Sequence, residues 1–196
     1  MKVGVLGGSF NPVHNGHVAL AREIVAKGLV DKVLMVLSPL NPLKQHLDSL
    51  LDDDLRMDML RLACEPYPEL EACGIELTMP RPSYTIDTLR KLSAENRADS
   101  FRLVIGADNW ACFHKWRSPD EIIRDYSPIV YPREEYPMPK EGNGATPFWA
   151  EILPVSSTEI RTCIARQEAD DKLLTLVSPQ VLEYIHAKSL YQISND

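Results

Sequence analysis

The sequence predicts an α/β fold, a doubly wound and mainly parallel sheet with helices on both faces. Three observations predict it. The runs Val3-Gly4-Val5-Leu6 and Lys32-Val33-Leu34-Met35-Val36-Leu37 are apolar without alternation. Such runs suit strands covered on both faces, as in parallel sheets. Good helix formers over 18–27 lie between them, at the spacing of a βαβ crossover, which is nearly always right-handed. A further strand over 101–105 ends in Gly106-Ala107-Asp108, again placing turn residues at a strand's C-terminal end. Together these features make a Rossmann-like arrangement.

The elements follow in order. Residues 1–6 form the first strand and 15–27 the first helix, with Gly28 as its stop. The second strand covers 32–37. Pro39 and Pro42 then rule out regular structure over 38–44, which makes a shaped loop at the ligand-binding edge. A helix over 52–64 opens on Asp52-Asp53-Asp54, where acids suit the helix dipole. A third strand spans 70–78, and a helix capped by Ser83 or Thr85 runs to about 93. After the strand over 101–105 come short helices over 109–115 and 119–124, then a strand over 127–131. Prolines and glycines make 133–148 a surface loop, the most dispensable part of the chain. The last strand covers 151–155. A helix opened by the capping-box residues Ser156-Ser157-Thr158-Glu159 reaches about 165, and a terminal helix covers 179–188. No repeat or long linker divides the chain, so 1–196 reads as one domain.

Composition narrows the function classes. The net charge of −7 argues against a broad nucleic-acid surface, which needs clustered Lys and Arg. It leaves room for a small nucleotide held by a few local donors. No apolar run reaches the roughly 18 residues of a membrane span. The N-terminus enters a strand directly, without a signal-peptide pattern, so a cytoplasmic protein is expected. The four cysteines lack CxxC spacing and read as packed, reduced thiols.

The chemistry gathers at one edge. In Gly7-Gly8-Ser9-Phe10, glycines let the backbone turn sharply and approach a ligand. The helix that follows presents unpaired N–H groups, which favour phosphate. His14 and His17 sit at the mouth of that turn, and neither a turn nor a cap requires them. Lys44 lies on the loop after the second strand, and Ser156 to Arg161 opens a later helix. In a doubly wound sheet these three elements share an edge and converge. Together they suit phosphoryl or nucleotidyl transfer, which needs alignment and charge neutralisation above covalent help. The hydrolase elbow Gly-x-Ser-x-Gly and the P-loop are both absent. Two residues carry alternative readings: Asp108 either accepts from ribose hydroxyls or caps the next helix, and Trp116 is either a stacking platform or a core aromatic.

Gly8-Ser9-Phe10-Asn11-Pro12-Val13-His14-Asn15-Gly16-His17 resembles the signature of the HxGH nucleotidyltransferases, and Ser156-Ser157-Thr158-Glu159-Ile160-Arg161 resembles their second motif. Pro82-Ser83-Tyr84-Thr85, Ile105-Gly106-Ala107-Asp108 and Phe113-His114-Lys115-Trp116 are similar to the bacterial nicotinate-nucleotide adenylyltransferase family. The resemblance implies adenylyl transfer from ATP, with Mg²⁺ on the polyphosphate, to nicotinate mononucleotide, in the synthesis of NAD. It implies that Gly7, Gly8, Ser9 and Phe10 lie against the nucleotides. It implies that His14 and His17 contact ATP phosphates, that Ser157 and Arg161 hold the β- and γ-phosphates beside Ser156 and Thr158, and that Lys44 adds charge. Asp108 would bind the ribose, Gly106 would be a further ATP-binding residue, and no protein side chain would ligate the metal. Trp116 would stack on the pyridine ring, with Thr85 and the backbone near Arg117 facing its carboxylate, and Tyr84 would either border the same nucleotide or be structural. Two positions depart from the family pattern: Asn11 replaces an Asp, and Leu43 replaces a His. Nicotinamide mononucleotide or phosphopantetheine as acceptor, and an ATP-binding module without turnover, are the competing readings.

Overall fold

The computed structural model describes residues 1–39, 50–140, 142–151 and 153–192. The chain runs β1 (Lys2–Gly8), α1 (Asn15–Ala26), β2 (Lys32–Leu37), α2 (Asp53–Cys64), β3 (Leu70–Cys73), α3 (Thr85–Glu95), β4 (Ser100–Gly106) and α4 (Ala107–Ala111). It continues through α5 (Pro119–Tyr126), β5 (Ile129–Tyr131), β6 (Thr146–Pro147), α6 (Ser157–Ala165), α7 (Asp170–Leu176) and α8 (Pro179–Ala187). The six strands stand in the order β3-β2-β1-β4-β5-β6, and every pairing is parallel. The first three strands build outward from β1 on one side, and β4 to β6 build outward on the other. The reversal falls between β1 and β4, where a crevice opens outside the strand ends.

Strand alternation makes two cores. Val3, Val5, Leu34, Val36, Leu103 and Ile105 pack on Ile86, Leu89 and Leu92 of α3 and Ile122 of α5. Leu6, Val33, Met35, Leu37 and Val104 face the other way, against Leu20 and Ile24 of α1, Leu60 of α2 and Ile160 of α6. Neither face is left to water, which explains why β1 and β2 read as apolar runs without alternation. The expected fold class is therefore the observed one. Gly28 closes α1 with φ +70°, a conformation that glycine adopts freely.

Several expected elements differ. β3 ends at Cys73, and a 3₁₀ turn, Ile75–Thr78, replaces its second half. The described part of 151–155 is not a strand: the Val155 N–H bonds the Leu153 carbonyl within its own turn. The edge position belongs to β6, inside the segment expected to be a dispensable loop. There the Thr146 and Phe148 amides donate to Pro128 and Val130. Pro147 lacks an N–H, and an edge strand tolerates that. Phe148 is buried in the core, so this segment is structural at its C-terminal end. Neither Ser83 nor Thr85 caps α3; its N-cap is Tyr84, which makes no side-chain cap bond. Helix α7 had no counterpart among the sequence expectations.

Candidate active site

The turn after β1 is held in an unusual shape. Phe10 has φ +43°, a left-handed conformation uncommon for a residue with a side chain. Its ring is buried and lies over Gly8, where a Cβ would stand 3.0 Å from the ring. The ring edge also meets His17, with centroids 5.0 Å apart. Gly7 differs: a Cβ there would meet only Ser38 Oγ, at 3.9 Å. Its bare backbone keeps the cavity floor open, whereas Gly8 makes room for Phe10.

His14 is the N-cap residue of α1 and His17 its third residue. Their rings stack with centroids 3.6 Å apart. The His14 N–H donates to His17 Nδ1 at 3.3 Å, which leaves the proton of a neutral His17 ring on Nε2. His14 Nδ1 is buried without a hydrogen-bond partner. Burial, and then the nearby charge of Arg133, hold the His14 imidazole down at about 4. His14 is therefore neutral around pH 7. Gly16 between them is required by contact: a Cβ would stand 2.8 Å from Val155 and 3.1 Å from His14 Nδ1.

The start of α6 packs against this turn. Ser156 caps the helix by accepting from the Glu159 N–H at 3.1 Å. Ser157 Oγ donates to the Pro12 carbonyl at 2.9 Å, and Arg161 Nη1 to the Asn11 carbonyl at 2.7 Å. Arg161 Nη2 reaches Thr158 Oγ1 at 3.2 Å. The later motif thus braces the earlier one. Asn11 Oδ1 accepts from Tyr191 O–H at 2.8 Å and from the Leu51 N–H at 3.3 Å. Burial pushes the Tyr191 phenol up, so it remains a donor. These bonds need an acceptor at position 11, and a neutral amide supplies one.

A cavity opens beside the turn, over the ends of β1, β2, β4 and β5. Gly7, Gly8, Ser9, Ser38, Gly106 and Tyr131 line its sheet side. Ser83, Tyr84 and Thr85 at the start of α3, with Lys115, Trp116 and Arg117, line its far wall. Trp116 tilts on Phe113 at 5.2 Å, and its indole Nε1 is buried without a partner. Thr85 is the first residue of α3, and the absence of a side-chain cap leaves that helix start open to an anion. The Arg117 side chain points to Asp87 at 3.1 Å and lies over the Tyr84 ring, 5.1 Å from its centroid. Its side chain is thus already engaged, and its backbone borders the cavity.

Asp108 and Arg133 join the two regions. Asp108 lies in the first turn of α4 and does not cap it; the N-cap is Gly106. Its Oδ1 is buried, with Arg133 Nε 3.9 Å away and no hydrogen bond. A Cβ on Gly106 would stand 2.3 Å from that oxygen and 3.0 Å from Arg133 Cγ. Arg133, one residue past Pro132 in the supposed loop, was missed by sequence reading. So was Lys115. Glu76, buried and itself lining the cavity, accepts from Ser83 Oγ and Thr88 Oγ1, each at 2.9 Å, and fixes the start of α3. Lys44 and Leu43 lie outside the described residues. Among the described residues, no group of three or more His, Cys, Asp or Glu could hold a metal ion, and no helix is long and apolar enough to cross a membrane.

Residues 5–163 match the family described as Cytidylyltransferase-like. A Bacteroides thetaiotaomicron protein described as a probable nicotinate-nucleotide adenylyltransferase is 38% identical over 187 residues, 94% of this chain and 91% of its own. A Flavobacterium psychrophilum protein of the same description is 35% identical over 196 residues, 98% of this chain and 100% of its own. Among solved structures, Plasmodium falciparum nicotinic acid mononucleotide adenylyltransferase complexed with APC has a TM-score of 0.78 at 16% identity. It covers 97% of this chain and 96% of its own, a likeness of fold. The switch-point cavity and the histidine pair at a helix start, with the family match, define a nucleotidyltransferase of the Cytidylyltransferase-like class. Within that class, the chain belongs to the nicotinate-nucleotide adenylyltransferase family.

Proposed function

We propose that this protein is a cytoplasmic, single-domain nicotinate-nucleotide adenylyltransferase. It transfers the adenylyl group of ATP to nicotinate mononucleotide, giving nicotinate adenine dinucleotide and pyrophosphate. A phosphate oxygen of the mononucleotide attacks the α-phosphorus of ATP. The bond from that phosphorus to the bridging oxygen breaks, and its electrons leave with pyrophosphate. The observation that carries the reading is the adjacency of two sites: a histidine-lined turn suited to phosphates, and a Trp116-walled cavity suited to a flat ring.

Several features support the residue roles. Gly7 and Gly8 let the backbone approach the reacting phosphates. His17, with its proton on Nε2, donates to a non-bridging oxygen as charge develops. His14 enters the reaction neutral and donates its ring N–H to a phosphate oxygen as the anion arrives. Arg133, Arg161 and Lys44 neutralise the polyphosphate. Ser156, Ser157 and Thr158 shape the helix start around it, and Gly106 leaves Asp108 free to accept from the ATP ribose. Ser9 and Phe10 set the turn against both nucleotides. Trp116 stacks on the pyridine ring, while the open start of α3 at Thr85 and the backbone near Arg117 receive its carboxylate. Tyr84 borders that wall. Here Mg²⁺ is carried by the polyphosphate as part of the substrate.

The test is pyrophosphate release from ATP and Mg²⁺ with nicotinate mononucleotide, nicotinamide mononucleotide or phosphopantetheine as acceptor. Turnover with nicotinate mononucleotide is expected to be the fastest. Turnover with phosphopantetheine alone, or with no acceptor, would sink the reading.

A further inference from the structure

Arg56 on α2 is fully buried, and its burial disfavours the charge it carries. No substrate-facing role accounts for it. It donates from Nη1 to the Ser9 carbonyl of the phosphate turn at 2.6 Å, and to the Ser38 carbonyl after β2 at 3.1 Å. Nε donates to the Leu51 carbonyl at 2.9 Å. Its remaining nitrogen meets one carboxylate oxygen of Asp53. The other Asp53 oxygen takes Arg81, whose next residues, Pro82 to Thr85, lead into the far wall of the cavity. A charged chain thus links the turn that holds the reacting phosphates to the wall that holds the pyridine ring.

We propose that Asp53 and Arg81 are positioning residues, a tie that sets the spacing between the two substrate-bearing walls. The proposal rests on the adenylyl-transfer reading above. Each wall keeps its own binding groups without the tie, so affinity for each substrate survives its loss. What suffers is the alignment of the attacking oxygen with the α-phosphorus. Misplacement by about 1 Å is enough to cost up to about 10²-fold in rate. The ion pair itself is half-exposed at Arg81 and contributes little to stability. Rate, therefore, is where its effect is read.

The test is steady-state kinetics on the full chain with ATP, Mg²⁺ and nicotinate mononucleotide. Arg81→Met and Asp53→Asn are each expected to lower kcat by about 10-fold or more, with both KM values within about 3-fold of wild type. Arg81→Lys should recover most of the rate, since it keeps the charge. The double variant should be no slower than the slower single one, because a link broken at either end is the same broken link. Unchanged kcat in Arg81→Met, a change confined to KM, or losses that multiply in the double variant would each overturn the tie. Thermal melting of Arg81→Met near the wild-type temperature shows that the rate loss is not unfolding. An active wild type with an unaffected Arg81→Met overturns the tie alone. A wild type inactive with this acceptor overturns the reaction and the tie together.

Discussion

His14 is buried with Nδ1 unpartnered and is held at about 4 against an ordinary 6.5. The unfolded chain therefore binds a proton more readily than the native one between those values. The neutral ring's contribution is complete above the unfolded value and is lost as pH falls toward the folded one. Its limit is of order 3 kcal/mol. Urea denaturation at about pH 7.5 and about pH 4.5 should show wild type losing about 2 kcal/mol more than His14→Gln. Equal losses would remove His14 from the acid response. Gly106→Ala makes a second prediction. Its Cβ would overlap Asp108 Oδ1 and crowd Arg133, so the ATP KM should rise about 10-fold with smaller change for the mononucleotide; an unchanged ATP KM would detach Asp108 from ATP. The histidines and glycines were legible because their spacing is local. Arg133 was not, because its approach to Asp108 and its influence on His14 depend on β4 and β5 pairing. Asn11 shows the limit in the other direction: a departure visible in sequence acquired a physical account only through Leu51 and Tyr191, distant along the chain.

At the scale of elements, strong periodicity and strong caps decided what could be read. The doubly covered strands β1 and β2 announced themselves as apolar runs, whereas β4 carries Arg102 among its apolar residues. The start of α6 announced itself through Ser156 and Glu159, and that cap forms. β6 is short and carries a proline, so it has no pattern of its own. Only the exposed edge of β5, which needs partners for Pro128 and Val130, creates it. The segment over 133–148 is consequently uneven. Its glycine-containing middle, with Gly142 and Gly144 at positive φ, is the turn expected from composition, but Phe148 anchors its end in the core. Phe148→Ala should cost about 3 kcal/mol or more by chemical denaturation, as large-to-small core substitutions do. A loss under about 1 kcal/mol would restore the view of this segment as dispensable.

The whole molecule sets an electrostatic contest. Its net charge is −7, and both substrates of the proposed reaction carry net negative charge. Among the described residues, the cations Arg133, Arg161, Lys115 and Arg117 lie beside the crevice at the end of the sheet. Screening decides which field a substrate meets. At about 10 mM salt the Debye length is about 30 Å, so the whole acidic surface opposes approach. At about 0.1 M it is about 10 Å, and the distant acids are screened while the site's cations still act within contact range. At about 1 M it shrinks to about 3 Å, and the local attraction weakens too. The apparent second-order rate constant kcat/KM for ATP should therefore rise between about 10 mM and about 0.1 M salt and fall again by about 1 M. Arg133→Gln should lower the maximum and flatten the high-salt fall, because it removes a local cation and leaves the distant acids in place. A wild-type kcat/KM that declines steadily from the lowest salt would mean that the crevice's own field extends past the acidic surface, and that net charge does not govern how this protein meets its nucleotides.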